Sequence, residues 1–142
     1  MDQPPQSRQP ATWSANVEAH GTTPRILVVE DDVVVGLRVE EILFELGFDT
    51  QLCHRLELAL TAAADELFAY GFIDVNLNGY LVGLAVADVL DRRGVPFVLA
   101  TGYSREDFGG RHEQAPLLPK PYDVREIEAV LHSAGLLPGL GR

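Results

Sequence analysis

"ILVVEDDVVVGLRVEEILFELG", residues 26–47, sets four apolar residues against three acids and then changes period. Ile26 to Val29 form a short, continuous apolar run, as in a strand buried on both faces. After Glu30, Asp31 and Asp32, the residues Val35, Val39, Ile42 and Leu46 recur at steps of four, three and four, giving one apolar helical stripe. A buried strand that leads into an amphipathic helix is the repeating unit of a parallel sheet, so the fold depends on whether the pattern recurs.

It recurs along the chain. Further strands read at 50–53, 69–74 and 97–100, with a short one around Leu117 and Leu118. Leu56, Leu60, Ala63 and Leu67 supply a second helical stripe. A third helix is expected from about Leu81 to Arg92, closed by Gly94 with Pro96 beyond it. Asp123 and Glu126 make a capping-box start for the last helix, whose buried face is Val124, Ile127, Val130 and Leu131. "TGYSREDFGGRHEQAP", residues 101–116, is polar, contains Gly109 and Gly110 and lacks a stripe, so the fourth helix is expected to be short or disordered. These elements predict an α/β fold: a five-stranded parallel doubly wound sheet with helices on both faces.

With 142 residues the chain suits one domain, and 46% hydrophobic with 23% charged residues is ordinary for a globular protein. The Pro-, Gln- and Ser-rich residues 1–24, with Trp13 as their one aromatic, read as a flexible tail, 25–134 as the domain and 135–142 as a C-terminal tail. A net charge of -10 argues against nucleic-acid or anionic-membrane binding, which needs clustered Lys and Arg. Cys53 is the single cysteine, which excludes an intrachain disulfide and points to the cytoplasm. No signal peptide and no apolar stretch of ~18 residues is read, so no membrane insertion is expected.

Doubly wound sheets carry their sites at the C-terminal ends of their strands. Strand one ends in Glu30, Asp31 and Asp32, strand three in Asp74 and strand four in Thr101, while strand five runs into Lys120. Singly each has a bland reading: a helix N-cap for the acids, turn formers for Thr101 and for Asp74 to Gly79, a solvated charge for Lys120. Together they place several carboxylates on one rim, where mutual repulsion calls for a cation. Oxygen donors with no His or Cys nearby suit Mg2+; His20, His54, His112 and His132 show no ligand spacing. A carboxylate beside Mg2+ can attack phosphorus and form an aspartyl phosphate, with Lys120 and the Thr101 hydroxyl binding the transferred oxygens.

On "ILVVEDD" (26–32), "FIDVN" (72–76), "LATG" (99–102) and "LPKP" (118–121), the chain resembles the receiver domains of two-component response regulators. The resemblance implies the flavodoxin-like strand order 2-1-3-4-5, Asp74 as phosphoacceptor, Mg2+ held by Glu30, Asp31, Asp74 and the Asn76 carbonyl, Thr101 as switch hydroxyl and Lys120 as phosphoryl contact. It implies a histidine kinase or phosphotransfer protein as donor and a downstream protein as target. It also implies that the chain is no enzyme beyond its own phosphorylation and dephosphorylation. "VPFVLATGYS" (95–104) is similar to the motif of the subgroup nicknamed FAT GUY, whose members are often linked to kinases of the HWE type; Leu99 replaces its second Phe.

Two departures bear on mechanism. Leu117 stands where most receivers carry a switching aromatic, and Asn78 where a Pro is common. Signal transmission through ordering of residues 102–116 is therefore expected instead. Asn76 and Tyr103 occupy positions that in the family flank the attacking water, so Tyr103 is expected to modulate dephosphorylation. The alternatives are a phosphorylation-independent pseudo-receiver, which would typically lack an acid or the lysine, and a haloacid-dehalogenase-type phosphatase, which would carry a second Asp at the position of Asn76.

Overall fold

The computed structural model describes residues 23–137; Trp13 and nearly all of the predicted N-terminal tail lie outside them. Five strands alternate with four α-helices: β1 Arg25–Val29, α1 Val33–Glu45, β2 Asp49–Cys53, α2 Leu56–Asp65, β3 Tyr70–Asp74, α3 Gly83–Arg92, β4 Phe97–Thr101, β5 Leu117–Pro119 and α4 Val124–Ser133. All pairings are parallel and the order is β2-β1-β3-β4-β5, as expected.

Burial explains why the central strands are unbroken apolar runs. Every residue of β3 and β4 is buried. On one face α1 and α4 bring Val39, Ile42, Leu43, Ile127 and Leu131 onto Ile26, Val28, Phe72 and Val98. On the other, α2 and α3 bring Ala59, Ala62, Ala63, Leu84, Val86 and Leu90 onto Leu27, Val29, Ile73 and Leu99. The end of α1 that faces the site is set by Asp32, whose carboxylate accepts from the Val34 and Val35 amides at 3.0 and 3.2 Å. At α4 the predicted Asp123–Glu126 capping box is present in both directions.

Three expectations change. The α2 stripe does not reach Leu67, because the helix ends at Asp65 and Leu67 is 73% exposed; small residues Ala59, Ala62 and Ala63 form the buried face and let α2 lie close to the sheet. The C-terminal tail does not begin at 135: Leu136 is buried in the α1–α4 core, and its amide donates to the Leu131 carbonyl. The third helix starts at Gly83, with Val82 as its N-cap, rather than at about Leu81.

Between β4 and β5 the chain makes only a 3-10 turn, Arg105–Phe108, followed by further turns. It is held in place without a helix. Phe108 is buried in the α2–α3 core, and Arg105 donates to the carbonyls of His112 and Ala115. Asp88 of α3 pairs with Arg111 at 2.5 Å and with His112 at 2.7 Å, and the His112 ring stands edge-on to Phe97.

Candidate phosphoacceptor site

The parallel registers set the strand ends side by side. Val29 lies opposite Ile73, and Asp74 opposite Ala100, so Glu30, Asp74 and Thr101 emerge at one edge. Glu30, Asp74 and Thr101 are each only 2% exposed, the buried polar residues of an otherwise apolar interior among the described residues. Glu30, Asp31 and Asp74 offer carboxylate oxygens that all lie within 4.8 Å of one another. Lys120, just past β5, places its Nζ 3.1 Å from Asp74 Oδ2 and 3.2 Å from Glu30 Oε1. Its backbone amide is fixed by the Thr101 carbonyl at 2.9 Å, and the Lys120–Pro121 peptide is cis.

One ammonium cannot balance three carboxylates. Burial, reinforced by the hydrogen bond to Asp74 and by its charge, pushes Glu30 up to about 8. Burial also raises Asp74, against the opposing influence of Glu30 and Lys120. Burial pulls Lys120 down, but the Asp74 and Glu30 charges outweigh it and hold the ammonium above its ordinary value. Asp31, at the rim, moves the other way: the Asn78 amide and neighbouring hydrogen bonds overcome its desolvation and lower it. An all-oxygen cluster of three carboxyl groups with one ammonium, in which burial disfavours the charged form of Glu30, fits a hard dication such as Mg2+.

The surrounding loops are tied to these carboxylates. The Asn76 amide donates to Asp74 Oδ1 at 3.1 Å, and its side-chain Nδ2 donates to the Tyr103 hydroxyl at 3.0 Å. Tyr103 in turn donates its backbone N–H to Thr101 Oγ1 at 2.8 Å. Asp32 stays out of the cluster as the α1 cap, the bland reading proving right for that one acid. Unforeseen from the sequence were the contact of the Asn78 amide with Asp31 Oδ2 at 2.8 Å, the close approach of Gly83 to the end of β3, and the Asp88–Arg111–His112 cluster.

No family model matches the chain. A solved response regulator receiver domain (CheY-like) from Methylobacillus flagellatus superimposes with a TM-score of 0.68 at 28% identity, over 80% of this chain and 99% of that one. This chain is a response regulator receiver domain. The receiver is also 32% identical over 111 residues to the transcriptional activator protein PfeR of Pseudomonas aeruginosa, covering 75% of this chain and 36% of PfeR. It thus spans about a third of the length of that curated relative. The response regulator TrrA of Thermotoga maritima, solved in complex with Mg2+-BeF, shares the fold with a TM-score of 0.69 at 23% identity, over 78% of this chain and 98% of TrrA. Among the described residues no helix is long and apolar enough to cross a membrane.

Proposed function

We propose that the receiver accepts a phosphoryl group on Asp74 from the phosphohistidine of a histidine kinase or phosphotransfer protein, and that this changes its binding to a downstream protein. The observation that carries the reading is Lys120 Nζ lying between Asp74 Oδ2 at 3.1 Å and Glu30 Oε1 at 3.2 Å in a buried, all-carboxylate pocket. A merely structural lysine needs one buried carboxylate as its partner, whereas Lys120 meets two buried carboxyl groups with Asp31 as a third beside them.

In this reading Glu30, Asp31 and Asp74, with the Asn76 carbonyl, hold Mg2+, which when bound offsets negative charge on the carboxylates and on the transferred oxygens. An Asp74 carboxylate oxygen attacks phosphorus, the P–N bond to the donor imidazole breaks, and the imidazole leaves with its electron pair. The Asn76 N–H orients the Asp74 carboxylate beforehand. The Lys120 ammonium then moves its contact from carboxylate to phosphoryl oxygen, and the Thr101 hydroxyl, released from the Tyr103 N–H, donates to another. Water returns the site to aspartate and inorganic phosphate, and Tyr103 over Asn76 limits its approach. Beside the acceptor, α1 exposes Val33, Val34 and Leu37, an apolar surface on which the donor can dock.

With Leu117 in place of a switching aromatic, the readout falls to residues 102–116, which follow Thr101 directly and are anchored by Phe108, Arg105 and Asp88. The "VPFVLATGYS" motif supports the FAT GUY subgroup and a kinase of the HWE type. The test is phosphotransfer from labelled kinases to the parent and to Asp74→Ala. Label is expected in the parent alone, and label retained by Asp74→Ala would overturn the assignment. Amide exchange at 102–116 with and without beryllofluoride tests the readout, and identical protection would refute it.

A further inference from the structure

The loop after Asp74 contains a feature that acceptor chemistry alone does not require. Leu77 and Tyr80 exchange backbone hydrogen bonds at 2.8 and 3.1 Å, while Asn78 and Gly79 between them have φ of 54° and 88°. Two successive left-handed residues closing such a pair mark a type I′ turn, and Asn-Gly is its preferred sequence. Here the turn hangs over the site rather than joining two strands of the sheet.

Its hydrogen bonds all lead inward. The Asn78 N–H donates to Asp31 Oδ2 at 2.8 Å, across from β1. The Gly79 N–H donates to Asn76 Oδ1 at 2.9 Å, and Asn76 Nδ2 reaches the Tyr103 hydroxyl. Asp31 is the half-buried member of the carboxylate cluster, beside the fully buried Glu30 and Asp74. With Oδ2 held by the turn, the Asp31 carboxylate is fixed where one of its oxygens lies within 4.8 Å of oxygens of Glu30 and Asp74. The left-handed backbone at 78 and 79 closes the turn whose first amide is this N–H.

We propose that the Asn78–Gly79 turn is the positioning element of the cation site: it sets the Asp31 carboxylate through the Asn78 amide, and Tyr103 braces it through Asn76. The inference rests on the proposed Mg2+ reading of Glu30, Asp31 and Asp74. It assigns roles to Asn78, Gly79 and Tyr103 that act through Asp31 and not on the phosphoryl group.

Gly79 makes the test clean. A Cβ built there meets nothing within 4 Å, so substitution changes backbone preference and no packing. Gly79→Val, which disfavours positive φ, is expected to weaken Mg2+ binding about tenfold by calorimetry, the size of effect seen when a residue supporting a metal ligand is lost. Gly79→Asn, which tolerates left-handed backbone, is expected to restore parental affinity. Tyr103→Phe, which loses one neutral hydrogen bond, is expected to cost about threefold. In the metal-free protein the Asn78 amide proton resonance should shift in Gly79→Val and in Asp31→Asn alike. Parental affinity and an unmoved Asn78 resonance in Gly79→Val would overturn the inference, as would equal losses in Gly79→Val and Gly79→Asn. A parent that takes up no Mg2+ would instead overturn the cation reading on which it rests.

Discussion

Gly83→Ala is the perturbation that tests most directly how α3 supports the acceptor. The amide of Gly83 donates to the Val75 carbonyl at 2.9 Å, pressing the first turn of α3 against the end of β3. A Cβ at Gly83 would lie 2.1 Å from the Asp74 carbonyl oxygen and 2.8 Å from Val75 Cα. Both neighbours are backbone, so no side chain can rotate away, and relief requires a movement of about 1 Å. If α3 retreats, Leu84, Val86 and Leu90 lose contact with the core they share with Ile73 and Leu99. If the β3 end yields, the Asp74 carboxylate leaves its 3.1 Å contact with Lys120. Overpacking of this kind costs about 1–3 kcal/mol, which lowers Tm by roughly 5–10 °C in a domain of this size. A displacement of about 1 Å at the reacting group costs on the order of a hundredfold in rate. The assay is thermal unfolding together with Mg2+-dependent phosphorylation by acetyl phosphate, followed on a phosphate-affinity gel. Alanine is intrinsically the better helix former by up to about 1 kcal/mol, so the packing cost must appear against that gain. A variant that melts within about 1 °C of the parent and is phosphorylated at the parental rate would show that the close approach is not what places Asp74.

Other outcomes follow from the same geometry. Glu30→Gln keeps an uncharged group where burial already disfavours a charge, so its metal-free Tm should be no lower than the parent's, while the Mg2+ increment disappears; that increment is about 2.7 kcal/mol at roughly one hundred times Kd in the parent, and chelator should abolish it. At Asp88, burial raises the carboxyl but His112 and Arg111 outweigh it and lower it below 3.8, so its contribution to stability is present above that value and lost as the pH falls through the depressed one. The Tm gap between parent and Asp88→Asn should therefore be open at pH 7 and close below pH 3.8, and a gap independent of pH would rule out the ion pairs as its source. Phe108→Ala removes a buried aromatic and should cost about 3 kcal/mol, with faster amide exchange through 102–116; a near-neutral Tm would mean that Arg105 and Asp88 suffice to hold the segment. Tyr103→Ser opens the approach over Asn76 and should shorten the phosphoryl lifetime, which equal decay rates in variant and parent would contradict.

The sheet was legible because β1, β3 and β4 are buried on both faces, and only continuous apolar runs satisfy that environment. α2 was read less well for a related reason. Its packing against the sheet is through Ala59, Ala62 and Ala63, and small residues carry a weaker periodic signal than the exposed Leu58 and Leu67 around them. The candidate site was legible as residue types at strand ends, since Glu30, Asp31, Asp74, Thr101 and Lys120 each sit where a parallel strand stops. What joins them was not, because the Asn78–Asp31 and Asn76–Tyr103 contacts link positions 47 and 27 residues apart through a turn whose orientation only the fold determines. The Asn-Gly pair did announce a tight turn; nothing local says that its amide faces an aspartate. The Asp88 cluster was hidden likewise, because its partners Arg111 and His112 lie in a segment without periodicity, where charged residues read as solvated.

The ion pair between Lys120 and Glu30 joins residues 90 positions apart, and β5, which delivers the lysine, is a three-residue strand paired to β4. Most of the sheet can therefore form on the ribosome before the group that completes the acceptor has been synthesised. A nascent chain that ends short of residue 120 presents Glu30, Asp31 and Asp74 without their ammonium and without the backbone bond from Lys120 to Thr101. The positive charge of the carboxylate cluster thus arrives late in synthesis, with the edge strand of the sheet.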